Sequence, residues 1–556
     1  MSGDAHLLVA ADYVVFAVVL LLSAAVGFYY AWRSRRQGNS RDFLTGGRKL
    51  NALAVSMSLT ASYMSSVTVL SNPAEVYRYG AIFGYLSISY VIAVVYTSEV
   101  FLPVFYRLAI NSTYEYLELR FSRLLYTGLV IYAPALALNQ VTGMNLWGGI
   151  ISTATVCTLY CALVSKTFIT YDTHTAVHHI VSRTSSSITN VILKGGISTI
   201  LSDAQEGGRI NFVDFDINPL RRHTFWTLVI GGTVVQRYNS CKSIKHARLA
   251  LFINVLGLAC TLTSSVISGL CLYSFYKNCD PWKAGQVSSP DQLLPYLVMD
   301  ILADHQGLPG LFFAAVYSAS LSTVSTSINA MAAVTTEDLI KPLSCCLFIT
   351  QTACVFFGIV CVAMAGLASL MGHMMQVEGS VNAELSMCSG KHIQELFVVQ
   401  KRNGNKDSDS DICPQGGLCG LVTGLAAAVS VSIIGMISPS PPEMTRPLFL
   451  STEGCNFTTG SSFNWTTPLH AVQWHSPSYL YFGVIGGLTS NLTKKRQNCI
   501  PLCFISCFGE KQISNAKKNK KKTKKPNILE NSYSSLDCFN TTLGHLALSL
   551  DQISLW

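Results

Sequence analysis

Charged residues are scarce in this chain. They make up 12% of its 556 residues, where a soluble globular chain carries about 25%. That shortage excludes an ordinary water-soluble domain. Catalytic signatures are missing too: there is no glycine-rich phosphate loop, no nucleophile elbow and no pair of zinc-spaced histidines, so no enzyme is expected. The 18 cysteines show neither zinc spacing nor a dense disulfide framework. Most, such as Cys157, Cys260 and Cys361, stand in apolar runs and behave there as small hydrophobes. His174, His178 and His179 have no accompanying carboxylate, and no metal site is expected of them.

What the chain does have is long apolar runs. Hydrophobic residues are 50% of the total and the mean hydropathy is +0.37. Runs at about residues 13–32, 53–70, 82–105, 124–141, 147–164, 249–273, 310–334, 347–371 and 418–437 predict membrane spans, with a short, poor candidate at 479–488. The first is no signal peptide, because its charges follow the apolar run. Arg33, Arg35, Arg36, Arg41 and Arg48 come directly after it, which places the N-terminus outside and the next loop in the cytoplasm.

The net charge of +9 is concentrated near the C-terminus, in a run from Lys517 to Lys525. A juxtamembrane tail facing anionic lipid accounts for it, and no interleaved aromatics support nucleic-acid binding. Residues 1–495 are therefore read as a transmembrane domain and 496–556 as a basic, disordered cytoplasmic tail. Cys499, Cys503 and Cys507 beside that tail are candidate palmitoylation sites. Cys279 and Cys455 both fall in predicted outer loops, where a disulfide could join them. Asn456-Phe-Thr and Asn464-Trp-Thr are candidate glycosylation sites in an outer loop.

Two runs differ from the rest in being rich in hydroxyls: "LTASYMSSVTVL" from Leu59 and "YSASLSTVSTSINAMAAVTTEDLI" from Tyr317. So many Ser and Thr suit a helix buried in a bundle or unwound at mid-membrane. A sodium ion wants about five or six oxygens, and at bilayer depth these come from hydroxyls and from carbonyls freed by a helix break. Ser322 and Thr323 follow Ala319 by three and four residues, so on a helix the three share a face. The same hydroxyls could instead bond to their own helix carbonyls. Spacing alone leaves both readings open. Glu99 is the only acid well inside a span, near its inner end, while Glu337 and Asp338 fall at the interface.

These runs also resemble a known family. "DFLTGGRKL" from Asp42, "SLTASYMSSVTVLSNPAEVYRYGA" from Ser58, "STYEYLELRF" from Ser112, "YTGLVIYAPALALNQVTG" from Tyr126, "PLRRHTFW" from Pro219, "QGLPGLF" from Gln306 and the Tyr317 segment are collinear with the sodium:solute symporters. Within that family the wording is most similar to the monocarboxylate, iodide and multivitamin subgroup, and to the sodium-coupled monocarboxylate transporters in particular. The resemblance implies an all-α polytopic membrane protein with a LeuT-like inverted-repeat bundle and an extra N-terminal helix. It implies a sodium site formed by Ala61 and Met64 of a broken helix with Ala319, Ser322 and Thr323. It implies a site for substrate or a second ion at Ser62, Ser65, Thr68 and Tyr132. Asn329 either braces the break or caps a polar stripe.

The implied activity is sodium-coupled symport of small monocarboxylates such as lactate, pyruvate, short-chain fatty acids and nicotinate. The membrane would be the plasma membrane, apical in epithelium. The partners would be a small anionic solute, sodium and the lipid bilayer, with no cofactor, no metal other than sodium and no nucleic acid. Iodide or a vitamin carboxylate is the alternative solute.

The chain also departs from the family. Residues 165–195 are polar where a core helix with an acidic residue is expected, and 377–413 are charged where glycine-rich spans are expected. At Gly231 the sequence passes from "GGT" to "VVQRY", without the Gln- and Asn-rich stretch. The expectation is an incomplete bundle, of the kind a splice variant or a misassembled gene produces. Uninterrupted transcripts across 165–195 in several tissues would argue against an assembly error. A transport-inactive chain that associates with intact relatives is the alternative of another class.

Overall fold

The computed structural model describes residues 8–34, 53, 56–57, 60, 65–101, 122–164, 194–231, 244–302, 305–334 and 347–370, and scattered positions from 427 to 489 that include 447–455 and 477–482. All lie in the first of two units, Met1–Lys494 and Lys495–Trp556. Every regular element among these residues is helical.

The helix α1 (Ala10–Ser34) is 25 residues long, or about 38 Å at 1.5 Å per residue, enough to cross a bilayer. α2 (Ser66–Tyr79) is short, carries an internal Pro73, and is buried along nearly all its length. A 3₁₀ turn (Ala81–Tyr85), α3 (Leu86–Tyr96) and a π turn (Thr97–Phe101) form one continuous rod. α4 (Ser122–Thr142) and α5 (Leu146–Val164) form a hairpin. α6 (Ile197–Glu206) and α7 (Phe225–Gly231) are short, and α8 (Ile244–Tyr276) is the longest at 33 residues. α9 (Leu293–Leu302), α10 (Leu308–Val334) and α11 (Leu347–Leu370) complete the order.

Backbone hydrogen bonds gather several loops on one face. Leu8 N–H donates to Val141 O, Ala81 to Arg209 O, Leu448 to Arg78 O, Asp280 to Ser451 O and Ser478 to Pro219 O. The disulfide Cys279–Cys455 is formed on this face, which suits an oxidising compartment. We call it the outer face. At the other end Glu99 pairs with Arg248 at 3.3 Å, both well exposed, so Glu99 stands at the inner end of its rod.

The core sorts the helices. α2, α4 and α10 share one apolar cluster that includes Val67, Leu70, Val130, Ala133, Leu321, Val324 and Ile328. α3 and α8 instead expose Val91, Ile92, Leu249, Phe252 and Leu256, the apolar faces expected to meet lipid. Four helical stretches among the described residues are long and apolar enough to cross a membrane: Ala81–Glu99, Lys245–Tyr276, Leu308–Ser325 and Thr352–Ser369.

The predicted spans at 124–141, 147–164, 310–334 and 347–371 correspond to α4, α5, α10 and α11, within about two residues of each end. The span at 249–273 is longer, because residues 244–248, with Lys245, His246 and Arg248, and residues 274–276 join α8. The run at 53–70 is not one helix. Residues 53, 56–57 and 60 are helical, Ser65 is extended at φ −76° and ψ 162°, and α2 begins afresh at Ser66. In the candidate at 479–488, Tyr479–Tyr481 form a 3₁₀ turn and residues 482, 485 and 486 are helical. α6, α7 and α9 were not predicted. Each has 10 residues or fewer, too short to stand out by hydropathy. Residues 165–193 and 377–413 lie outside the described residues.

Candidate functional site

Ser65 sets the start of α2. Its backbone is extended, and its Oγ accepts a 3.4 Å hydrogen bond from Thr68 N, capping the helix that follows. The Thr68 hydroxyl donates back to Ser65 O at 2.8 Å. Both oxygens keep lone pairs for a cation. A helix beginning inside the bundle also turns its positive dipole end inward, toward any anion held at the break. Ser66 ties this turn to α4, donating to Val130 O at 3.2 Å. Two residues further along α4 stands Tyr132, buried in the shared core.

α10 runs past the same core and touches α2. Ala319 is 1% exposed and Thr323 4%. Helical Ser and Thr commonly donate to the carbonyl four residues back, and this protein follows that habit. Thr97 bonds Ala93 O, Thr142 bonds Leu138 O, Thr153 bonds Gly149 O and Ser320 bonds Val316 O. Thr323 is an exception. Its Oγ1 is buried and has no hydrogen-bond partner, although Ala319 O stands one turn back on the same helix. An unmet buried hydroxyl costs about 1–3 kcal/mol. A cation bound between this hydroxyl and a neighbouring carbonyl would relieve that cost, so the residues present fit a sodium ion. Ser322 lies on α10 next to Thr323, and Asn329 lies on the same helix.

The register of α10 is fixed from behind. The Tyr317 hydroxyl is 2.6 Å from Thr153 Oγ1. Since Thr153 donates to Gly149 O, Tyr317 is the donor in that pair. The Phe16 ring stands edge-on to Tyr317 at 5.3 Å. At the outer end the Asp12 carboxylate accepts from Gly307 N at 2.7 Å and Val9 N at 3.0 Å, capping α10 and α1 together. Sequence reading missed Tyr317, Thr153, Ser66 and Asp12. Asp12, alone at the start of an apolar run, was the one visible signal.

Outside the core, a buried ionic knot holds the outer end of α2. Arg222 forks onto Glu75 at 3.0 and 2.6 Å, and His223 Nε2 is 2.8 Å from the same carboxylate. The Arg222 guanidinium lies 5.0 Å from the Tyr79 ring centre and 4.8 Å from that of Tyr479. Burial pushes the His223 pKa down, although Glu75 pulls the other way. His223 Nδ1 is buried without a partner, so a second ring proton would have no acceptor. The neutral ring with its proton on Nε2 is the stable form.

Of the other expected site residues, Ala61, Ser62, Met64, Asn456 and Asn464 lie outside the described residues, as do the three histidines, Glu337, Asp338 and the C-terminal lysines and cysteines. Ser65 and Thr68 thus stand at the start of α2, Tyr132 on α4, and Ala319 and Thr323 on α10, three helices that share one apolar cluster.

The solved structure of a Na+-coupled sialic acid symporter, substrate-bound and outward-open, has the same fold, with a TM-score of 0.62 at 18% identity over 88% of this chain and 97% of that one. Human sodium-coupled monocarboxylate transporter 1 is 48% identical, over 86% of this chain and 85% of its own length. Mouse sodium-coupled monocarboxylate transporter 2 is 44% identical over 90% and 88%, and the human sodium/iodide cotransporter 37% identical over 90% and 85%. The sodium:solute symporter family model matches residues 43–344. This chain belongs to the sodium:solute symporter family.

Proposed function

We propose that this protein couples the entry of small monocarboxylates to the inward movement of sodium. The observation that carries the reading is the unmet Thr323 hydroxyl on α10, one turn from Ala319 O and packed beside a helix that restarts at Ser65. Ala319, Ser322 and Thr323, with Ala61 and Met64, hold sodium. Ser62, Ser65, Thr68 and Tyr132 face the solute or a second ion. The N-terminal end of α2 supplies positive potential for a carboxylate, so no buried Lys or Arg is required. Names of the relatives at 48% and 44% identity favour a monocarboxylate solute. The sodium/iodide cotransporter at 37% keeps iodide as a second reading.

The protein acts at the plasma membrane, in the apical face of epithelia. Residues 1–495 form the symporter domain and 496–556 a cytoplasmic tail. Asn456 and Asn464, which follow the disulfide-bonded Cys455, carry glycans. Radiolabelled lactate, nicotinate and iodide uptake, each measured in sodium and in choline, tests the reading. Sodium-dependent lactate uptake is expected. A surface-expressed chain that takes up none of the three would mark it as the inactive class of variant.

A further inference from the structure

We propose that residues 210–217 form an interfacial anchor that rests in the headgroup region of the outer leaflet. Four apolar side chains of this loop point away from the protein: Val213 is 88% exposed, Ile217 76%, Phe215 53% and Phe212 42%. The loop's polar groups are meanwhile satisfied from within. Arg221 binds Asp214 at 2.5 Å and Asp216 at 3.1 Å, so both acids share one guanidinium and the trio keeps a single net negative charge. The side chains of Asp214, Asp216 and Asn218 accept from the backbone amides of Asp216, Asn218 and Leu220 at 3.2, 3.0 and 3.0 Å. A loop whose acids share a guanidinium, whose amides at Asp216, Asn218 and Leu220 are closed and whose apolar side chains point outward is suited to the headgroup layer, where free water is scarcer than in bulk.

The loop's position identifies the occupant as lipid. Tyr85, at the outer end of α3, donates to Phe212 O at 3.1 Å. Trp226, at the outer end of α7, donates to Phe215 O at 3.2 Å. The Tyr85, Phe212, Phe215, Phe225 and Trp226 rings form a chain of contacts 5.0–6.0 Å apart. Below them α3 exposes Ile88, Val91, Ile92 and Val95, and α7 exposes Ile230. The loop therefore continues a lipid-facing surface at the level where Tyr and Trp collect in membrane proteins. Asn211 Nδ2 donates to Tyr79 O at 2.7 Å, and Ala81 N to Arg209 O at 2.7 Å. The anchor thereby holds the outer end of α2 at a set height in the bilayer.

An environment-sensitive fluorescent amino acid at position 213 of the full-length protein, in phosphatidylcholine nanodiscs, tests this without measuring uptake, so its failure is separate from any failure of the transport reading. Position 206 is the control: the side chain of Glu206 is 72% exposed on the same face. Nitroxide lipids labelled near the headgroup should quench position 213 more than lipids labelled at the chain end. Aqueous iodide should quench it several-fold less than position 206. Equal iodide quenching at both positions without lipid quenching would overturn the proposal, as would emission at 213 that responds only to a second copy in the disc. Position 217 gives the same readout if the first variant does not reconstitute.

Discussion

Single atoms carry the ion site. Thr323 Oγ1 has no protein partner, while Ser320 on the same helix and Thr153 on α5 bond back to their own helices. Thr323→Ala should therefore fold well, since it deletes a hydroxyl that makes no internal bond. It should also raise the half-saturating sodium concentration about tenfold or more, or ~1.4 kcal/mol. Thr323→Ser should restore most of the affinity. Sodium titration of lactate uptake, normalised to surface protein, checks both.

His223 yields a pH prediction at the same scale. Its folded pKa lies below the ordinary 6.5, so the unfolded chain binds more protons in that window. Stability is then complete above about pH 6.5 and is lost as pH falls toward the folded value. The groups facing the ring are Glu75 at 2.8 Å, Arg222 and Arg78. The melting temperature of the purified protein should drop between about pH 7.5 and about pH 5.5, and His223→Gln should flatten that acid limb. Of these two residues, only Thr323 was legible in advance, through its spacing from Ala319 and the family pattern. The knot around His223 joins residues 147 and 148 positions apart, which no local pattern reports.

Elements succeed or fail on close approach. A Cβ at Gly269 of α8 would stand 2.6 Å from Val76 Cβ and 2.7 Å from Pro73 O of α2. Gly269→Ala should push α2 outward and destabilise the protein by about 1–3 kcal/mol, read as a lower melting temperature and reduced surface expression. The disulfide ties residues 176 positions apart. Opening it, by Cys455→Ser or by reductant on the intact protein, should cost about 2–5 kcal/mol and loosen residues 447–455 from Lys283, which donates to Leu450 O at 3.0 Å. Long apolar elements such as α1, α4 and α11 could be read from hydropathy. α2 could not be separated from the residues before it, because its start is set by Ser65 capping within a packed bundle rather than by a change in composition. α6, α9 and the loop at 209–224 owe their places to contacts with α8 and the outer ends of other helices.

For the whole molecule, family membership and the polar stretches at 165–195 and 377–413 pull in opposite directions. Relatives of 48% identity match 86% of this chain and 85% of their own, so each has stretches without a counterpart in the other. Substituting the human transporter's corresponding stretch for residues 165–195 is expected to raise sodium-dependent lactate uptake at equal surface expression. Equal uptake before and after the exchange would show that the native stretch suffices.

By itself the sequence determined the membrane class, most positions of the long helices, the family, and the two hydroxyl-rich runs, because hydropathy and residue type are properties of local chain. Only the tertiary structure decided that Thr323 keeps a free hydroxyl, that Ser65 restarts a helix, and that Glu75 meets Arg222 and His223. Each of those depends on which distant group arrives to satisfy a polar atom cut off from water, and that is settled by packing.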